Sequence, residues 1–163
     1  MRSVKNANKV REPVFPATHK KFKLVLQYAA DFPGTPSRWQ FRKWVNAALM
    51  QNAQIVLRIV DEQEGKELNR HFRGKDKATN VLTFVYDELH PLSGDIVLCA
   101  PVVISEAQQQ HKDLAAHYAH LTVHGVLHLQ GYDHEHDADA AIMEQLETNI
   151  VTRLGYADPY HER

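Results

Sequence analysis

The chain has a single cysteine and no long apolar run, and each absence excludes a class of protein. Cys99 is the only thiol among 163 residues, so an internal disulfide cannot form and a reducing compartment is expected. No apolar stretch approaches the roughly 20 residues that a membrane-spanning helix needs. The polar N-terminal residues also lack the apolar segment of a secretory signal. We therefore expect a cytoplasmic protein that does not enter a membrane.

The chain also lacks an excess of charge of either sign. Its formal net charge is −1, which argues against a surface that binds polyanions everywhere but allows a local basic patch. Residues 1–20 carry basic side chains with little periodicity and are predicted to be a flexible N-terminal extension. Residues 21–163 are long enough for one domain with its own core.

Histidine is the residue type that stands out. Seven of the 11 histidines fall between His111 and His136. His124 and His128 are one helical turn apart, so both rings project from one face. Gly131 is a natural helix stop, after which the chain can bring His134 back towards the first two. Three neutral imidazoles with a fourth position open are the ligand set of catalytic zinc, and the same donors also accept nickel, copper or iron.

The histidines have two alternative interpretations. His124 and His128 could be ordinary helix residues, but the third histidine and the turn glycine favour a metal site. The spacing also matches that of metzincin peptidases, which require Glu directly after the first histidine. Here Gly125 occupies that position, and glycine cannot act as a base. A zinc peptidase is therefore the weaker alternative.

The neighbouring histidines are less suited to the metal. His117 and His120 share the helix face of His124, but His117 would lie roughly 10 Å away along the axis. His120 is expected to support a ligand or line the pocket. His136 is a weaker alternative to His134. Asp133 either orients an imidazole or only forms the turn.

The order of segments predicts the fold class. Apolar alternation predicts strands over residues 22–28, 54–60, 79–86 and 95–100. Helices are expected after Ser37 and after Asp61, over about 101–110, from Asp113, and over 137–153, with a loop over 87–93 closed by Gly94. We expect an α+β fold, with a small mixed four-stranded sheet packed with helices around a central metal-binding helix, a zincin-like arrangement.

Three stretches resemble segments of a known family. Residues 124–134 read His-Gly-x-Leu-His-Leu-x-Gly-Tyr-Asp-His, residues 68–82 contain Leu-Asn and Arg-Gly-Lys-Asp-x-x-Thr-Asn-Val-Leu, and residues 94–97 read Gly-Asp-Ile-Val. These are similar to segments of the YbeY family of bacterial rRNA maturation factors, described as metallo-endoribonucleases. The chain departs from that pattern at Phe72, where Tyr is usual, and at Val85-Tyr86, where Pro is usual.

The resemblance implies that residues 21–163 form one metallo-hydrolase domain. It implies a single-strand-specific endoribonuclease in 16S rRNA 3′-end maturation and late ribosome quality control, with rRNA and the small ribosomal subunit as partners. A ribosome-assembly factor with a mainly structural metal is the alternative from another class. The oligomeric state is left open.

Arg73 is the candidate phosphate contact. It lies in the Arg-Gly-Lys-Asp stretch that resembles the family, and its guanidinium fork matches phosphate geometry. Arg70, Lys75, Lys77 and His120 are candidate substrate-binding residues. The competing interpretation is that Arg73 caps its helix or pairs with Asp76 at the surface.

Overall fold

The computed structural model describes residues 20–87 and 91–161. The elements in these ranges follow one another as β1 (Phe22–Tyr28), α1 (Arg38–Ala48), β2 (Ala53–Val60), α2 (Glu62–Arg73), β3 (Val81–Asp87), β4 (Leu92–Cys99), α3 (Ala100–Gln109), α4 (Leu114–Leu129) and α5 (Asp137–Arg153). The fold is α+β, as predicted. The division into an extension and one domain stays a prediction, because residues 1–19 lie outside the described ranges.

The sheet has four strands in the order β1-β2-β4-β3. β1, β2 and β4 are mutually parallel, whereas β3 runs antiparallel to β4 along one edge. The sheet is therefore mixed, as predicted. The parallel pairs follow from helical connections, because parallel neighbours need a crossover rather than a tight turn.

The predicted bounds of one loop, residues 87–93, are wrong. β3 extends to Asp87 and β4 already begins at Leu92, so Gly94 lies inside a strand instead of closing a loop. A Cβ on Gly94 would stand 2.7 Å from the Phe84 carbonyl oxygen and 2.8 Å from a methyl of Leu129. Glycine is needed here for a close approach of helix and sheet, not for a turn.

The central helix α4 is buried on most sides. Asp113 is its N-cap and accepts a hydrogen bond from the backbone N–H of Ala116. α4 packs against β3 and β4 of the sheet and against α1, α3 and α5. Its buried residues include Tyr118, Leu121, Val123, Val126, Leu127 and Leu129. Removal of these apolar side chains from water is the main force that holds α4 at the centre.

Side-chain caps define the N-terminal ends of α1 and α2. Ser37 and Gln40 form a reciprocal capping box at α1. At α2, Asp61 accepts from the backbone N–H of Glu64, and the Glu64 carboxylate pairs with Arg58 at 2.7 Å. Within residues 20–87 and 91–161, no helix is both long and apolar enough to cross a membrane.

Candidate active site

Three histidine rings converge at the C-terminal end of α4. The ring centroids of His124 and His128 are 5.9 Å apart, and the ring of His134 lies 5.4 Å from the first and 5.7 Å from the second. Three imidazoles sharing one zinc, with nitrogen–metal distances of about 2.0–2.1 Å, would have ring centres roughly 5 Å apart. The three rings are therefore mutually adjacent, at separations slightly larger than those expected around a bound zinc ion.

This arrangement is a convergence of rings and not a finished coordination sphere. Among the described residues, no group of three or more His, Cys, Asp or Glu side chains is arranged so that it could hold a metal ion as it stands. His134 is exposed, and small rotations about its side-chain bonds change ligand distances without moving the backbone. The role of the three histidines as ligands stays a prediction.

The turn after α4 brings His134 back to the helix. Gly131 has a φ of 100°, a left-handed conformation that glycine adopts without a Cβ penalty. Asp133 Oδ1 then accepts the backbone N–H groups of His134 and Glu135 at 2.6 and 3.2 Å. Asp133 therefore stabilises the turn, one of its two predicted roles.

The same helix end is anchored to α1. The Gln130 side chain accepts from the backbone N–H of Met50 at 2.8 Å and donates to the carbonyl of Ala48 at 2.9 Å. These bonds satisfy backbone groups near the end of α1 and fix the position at which α4 stops. The ring of His128, two residues earlier, is therefore held by a rigid support.

A buried carboxylate, which the sequence analysis missed, contacts the first histidine. Glu147 on α5 is fully buried, with Oε2 2.6 Å from His124 Nδ1 and Oε1 2.7 Å from His120 Nε2. Burial alone would raise the pKa of the Glu147 carboxyl, but the hydrogen bonds from His120 and His124 outweigh it and lower the pKa to about 2. Glu147 lies one helical turn from both Met143 and Val151, within a buried apolar stripe of α5. A carboxylate in that stripe was the sequence signal that could have identified it.

These contacts leave imidazole nitrogen lone pairs available to bind a cation. With Nδ1 of His124 donating to a carboxylate, Nε2 is left as the unprotonated nitrogen, an assignment made from the hydrogen bond. Burial, and then the proximity of His124 and His134, lower the pKa of His128. A neutral imidazole is the form that binds a metal, so the donor set fits zinc.

The other histidines lie apart from this point. His117 Nε2 is 2.9 Å from Glu106 Oε1. The Asn80 side chain also donates to Glu106, so these three residues form a separate cluster. His136 is the N-cap residue of α5 and makes no side-chain capping bond. His120 contacts Glu147, so its predicted role in substrate binding stays untested while its role beside a candidate ligand is visible.

Arg73 is exposed at the C-terminal end of α2. Its Nη2 donates to the carbonyl of Thr83 on β3 at 3.4 Å. Gly74 ends the helix in the left-handed conformation, with φ of 71°. Asp76 pairs with Lys66 at 4.0 Å, so the predicted alternative of an Arg73–Asp76 pair is not what the structure contains.

The position of Arg73 relates it to the histidine cluster through β3. Thr83 precedes Phe84, whose carbonyl lies against Gly94 together with Leu129 at the end of α4. Arg73 therefore contacts β3 one residue before Phe84, where this strand approaches Gly94 and the end of α4. The nearby candidate substrate-binding residues Arg70, Lys75 and Lys77 are all exposed.

Gly125 faces the sheet. A Cβ at this position would lie 3.2 Å from Cγ2 of Ile96 on β4. A larger side chain would have to displace that contact. The position that carries the base in metzincin peptidases is therefore used here for packing of α4 on the sheet.

The fold and the histidine cluster define an α+β protein with a candidate metal centre at the end of its central helix. A family model described as Endoribonuclease YbeY matches residues 34–155. Endoribonuclease YbeY of Nitrosomonas europaea is 62% identical over 157 residues, covering 96% of each chain. That of Nitrosomonas eutropha is 67% identical over 137 residues, covering 84% of this chain and 97% of the relative. The chain belongs to the endoribonuclease YbeY family.

A solved structure has a similar fold. The solution structure of a protein from Thermotoga maritima aligns with a TM-score of 0.50 over 85% of this chain and 100% of that chain, at 24% sequence identity. At this identity the likeness concerns the fold alone. It agrees with the α+β class, and the zincin-like comparison stays a prediction.

Proposed function

We propose that the chain is a zinc-dependent endoribonuclease that cleaves single-stranded RNA. His124, His128 and His134 would hold the ion, and Arg73 would contact the scissile phosphate. The observation that carries the proposal is the convergence of three imidazole rings at 5.4 to 5.9 Å from one another.

Family membership supports the activity class. The relatives are endoribonucleases by name, and an enzyme of this kind is a hydrolase of RNA phosphodiester bonds. Within that class we propose 16S rRNA, at its 3′ end and during late ribosome quality control, as the substrate. The proposed partner is the small ribosomal subunit and the proposed location is the cytoplasm, where the lone buried Cys99 would stay reduced.

The residues supply binding and charge to the reaction. When bound, a zinc ion would supply Lewis-acid activation of a phosphoryl oxygen and of a water molecule. The guanidinium of Arg73 would donate two parallel hydrogen bonds to the other phosphate oxygens and offset their growing negative charge. Exposed Arg70, Lys75 and Lys77 would attract the flanking phosphates.

The alternatives are less well supported. A peptidase needs a base where Gly125 packs against Ile96. A mainly structural metal would use a closed set of four ligands, whereas only three side chains converge here among the described residues, and the third is exposed.

One experiment separates the three functions. Zinc-loaded and chelated protein are incubated with single-stranded RNA, with casein and with small ribosomal subunits. We expect RNA cleavage that disappears on chelation and returns with zinc. Casein cleavage would replace the proposal by the peptidase, and inert protein that still binds subunits would replace it by the assembly factor.

Substitution of Arg73 tests the second half of the proposal. Arg73→Ala should bind zinc and melt like wild type, yet lose roughly 10²–10³ in cleavage rate, the usual cost of removing a donor to transition-state charge. Arg73→Lys should recover part of the rate, because lysine offers one point charge in place of a fork. The control is Arg38→Ala, which removes an exposed arginine whose guanidinium lies 5.6 Å from the Tyr28 ring centroid. Near-normal cleavage by folded Arg73→Ala would remove Arg73 from the mechanism.

A further inference from the structure

The segment after α5 returns to the histidine cluster through Tyr160. Its hydroxyl donates to Glu147 Oε1 in a short hydrogen bond, and it lies 3.3 Å from His120 Nε2. Burial and the hydrogen bond to Glu147 raise the pKa of Tyr160, so the hydroxyl keeps its proton and acts as the donor.

Other bonds hold this segment in place. Asp158 Oδ1 accepts from Thr148 Oγ1 at 3.2 Å and from the backbone N–H of Tyr160 at 2.9 Å. The Lys112 ammonium donates to the carbonyl of Pro159 at 3.2 Å. The segment is thus tied both to α5 and to the turn before α4, and Tyr160 reaches Glu147 from a braced backbone.

Three hydrogen-bonding groups converge on the two carboxylate oxygens of Glu147. Oε2 receives His124 Nδ1, while Oε1 receives both His120 Nε2 and the Tyr160 hydroxyl. A buried carboxylate without such partners is costly and tends to rotate or take up a proton. His120 and Tyr160 therefore determine how Glu147 presents Oε2 to His124.

We propose that Glu147 is the positioning residue of the metal site and that Tyr160, with His120, holds Glu147 in place. Glu147 orients the ring of His124 so that Nε2 faces the point shared with His128 and His134. The inference rests on the proposed metal function. It makes the C-terminal segment part of the site, although Tyr160 is 26 positions beyond the last proposed ligand.

A purely structural role is the competing explanation. In that case Glu147 only joins α4 to α5 and Tyr160 only secures the C-terminal segment. The two explanations differ in what they predict for a metal. Positioning predicts weaker metal binding by a chain that folds normally, whereas a structural role predicts a less stable chain whose folded form binds metal as before.

The test measures zinc affinity by competition with a colorimetric chelator, with the melt of the metal-free protein as the measure of stability. Glu147→Gln should bind zinc about 10–100-fold more weakly, the usual effect of losing the partner of a ligand histidine. Tyr160→Phe should weaken binding about fivefold, as expected for one lost hydrogen bond. The absorption spectrum of bound Co²⁺ should change in Glu147→Gln, because it reports ligand geometry.

Two matched controls come from the chain itself. Glu106→Gln removes the carboxylate that contacts His117, and Tyr156→Phe removes a hydroxyl from the same C-terminal segment. Both should bind zinc as wild type does. Equal losses in the controls and the test variants would overturn the proposal by showing a general effect on folding.

The outcomes separate this inference from the proposed function. Wild-type protein that binds no zinc would overturn both. Wild-type protein that binds zinc, with Glu147→Gln and Tyr160→Phe binding equally well, would overturn only the positioning role. If Glu147→Gln does not fold, Tyr160→Phe decides, because its side chain is 45% exposed and its loss leaves the core intact.

Discussion

Two of the histidine–carboxylate contacts along α4, those of His117 and His124, differ in what surrounds the second ring nitrogen of the histidine. His117 and Glu106 are 2.9 Å apart, and His124 and Glu147 are 2.6 Å apart. In both, hydrogen bonds outweigh the effect of burial and lower the pKa of the carboxyl. Yet His117 is only 4% exposed with its Nδ1 buried and unpartnered, whereas the side chain of His124 is 20% exposed beside two other rings.

A carboxylate partner therefore does not by itself indicate a metal ligand. His117 faces the packed interface of α3 and α4, where Asn80 completes the contact to Glu106. His124 lies two turns further on, where the helix ends and Gly131 turns the chain back. Only there can a third imidazole reach the same point from outside the helix.

The largest expected effect is the loss of zinc affinity when a proposed ligand is removed. Removal of the buried histidine His117 is the comparison and should have no such effect. His134→Ala should lose more zinc affinity than the roughly 10–100-fold expected for an outer partner. His117→Ala should bind zinc as wild type does. Elemental analysis of both purified variants decides this, and full zinc content in both would show that the ligand set is wrong.

Zinc should stabilise the folded chain only where the ligand site is intact. At 100 times its dissociation constant, zinc should add about 2.7 kcal/mol to the free energy of unfolding, because it binds the native state. His117→Ala should gain the same amount over its own metal-free baseline, and His134→Ala should gain almost none. Melts with and without chelator measure this. A metal-free wild type without a cooperative transition would contradict the expectation of an independent core.

Loss of the carboxylate at the buried pair should affect stability and not metal binding. Glu106→Gln should lower the free energy of unfolding at neutral pH by about 1–2 kcal/mol, since a hydrogen bond to a charged group is lost. The folded pKa of Glu106 lies below its ordinary value of 4.5. Its contribution is therefore present above about pH 4.5 and is lost as the pH falls through the folded pKa.

Urea unfolding at several pH values measures that prediction. The difference between wild type and Glu106→Gln should shrink on acidification. A difference that stays constant down to strongly acidic pH would mean that the carboxylate charge makes no contribution.

The smallest effect is expected at an exposed ion pair, which sets a baseline for the two buried pairs. Lys66 and Asp76 approach to 4.0 Å with side chains 51% and 72% exposed. Asp76→Ala should change the free energy of unfolding by about 0–1 kcal/mol and leave zinc affinity unchanged. A larger loss in thermal melts would show that exposure is a poor guide to the strength of ion pairs in this chain.

The sequence by itself determined the features that depend on local spacing. The turn-apart histidines, the glycine that ends their helix and the returning His134 are all encoded within residues 124–134, because helical periodicity and left-handed glycine act over a few residues. Strand alternation and caps likewise located β1, α1 and α2 to within about a residue. The α+β class follows from the order of these elements.

Only the tertiary structure decided which distant groups meet the histidines. Glu147 is 23 residues from His124 and Tyr160 is 40 residues from His120, and no local pattern relates positions so far apart. The strand order and the placement of Gly94 inside β4 likewise depend on packing between α4 and the sheet. Side-chain contacts of this kind arise when separate elements bury their apolar faces together, so the partners that position a ring are specified by the assembled core.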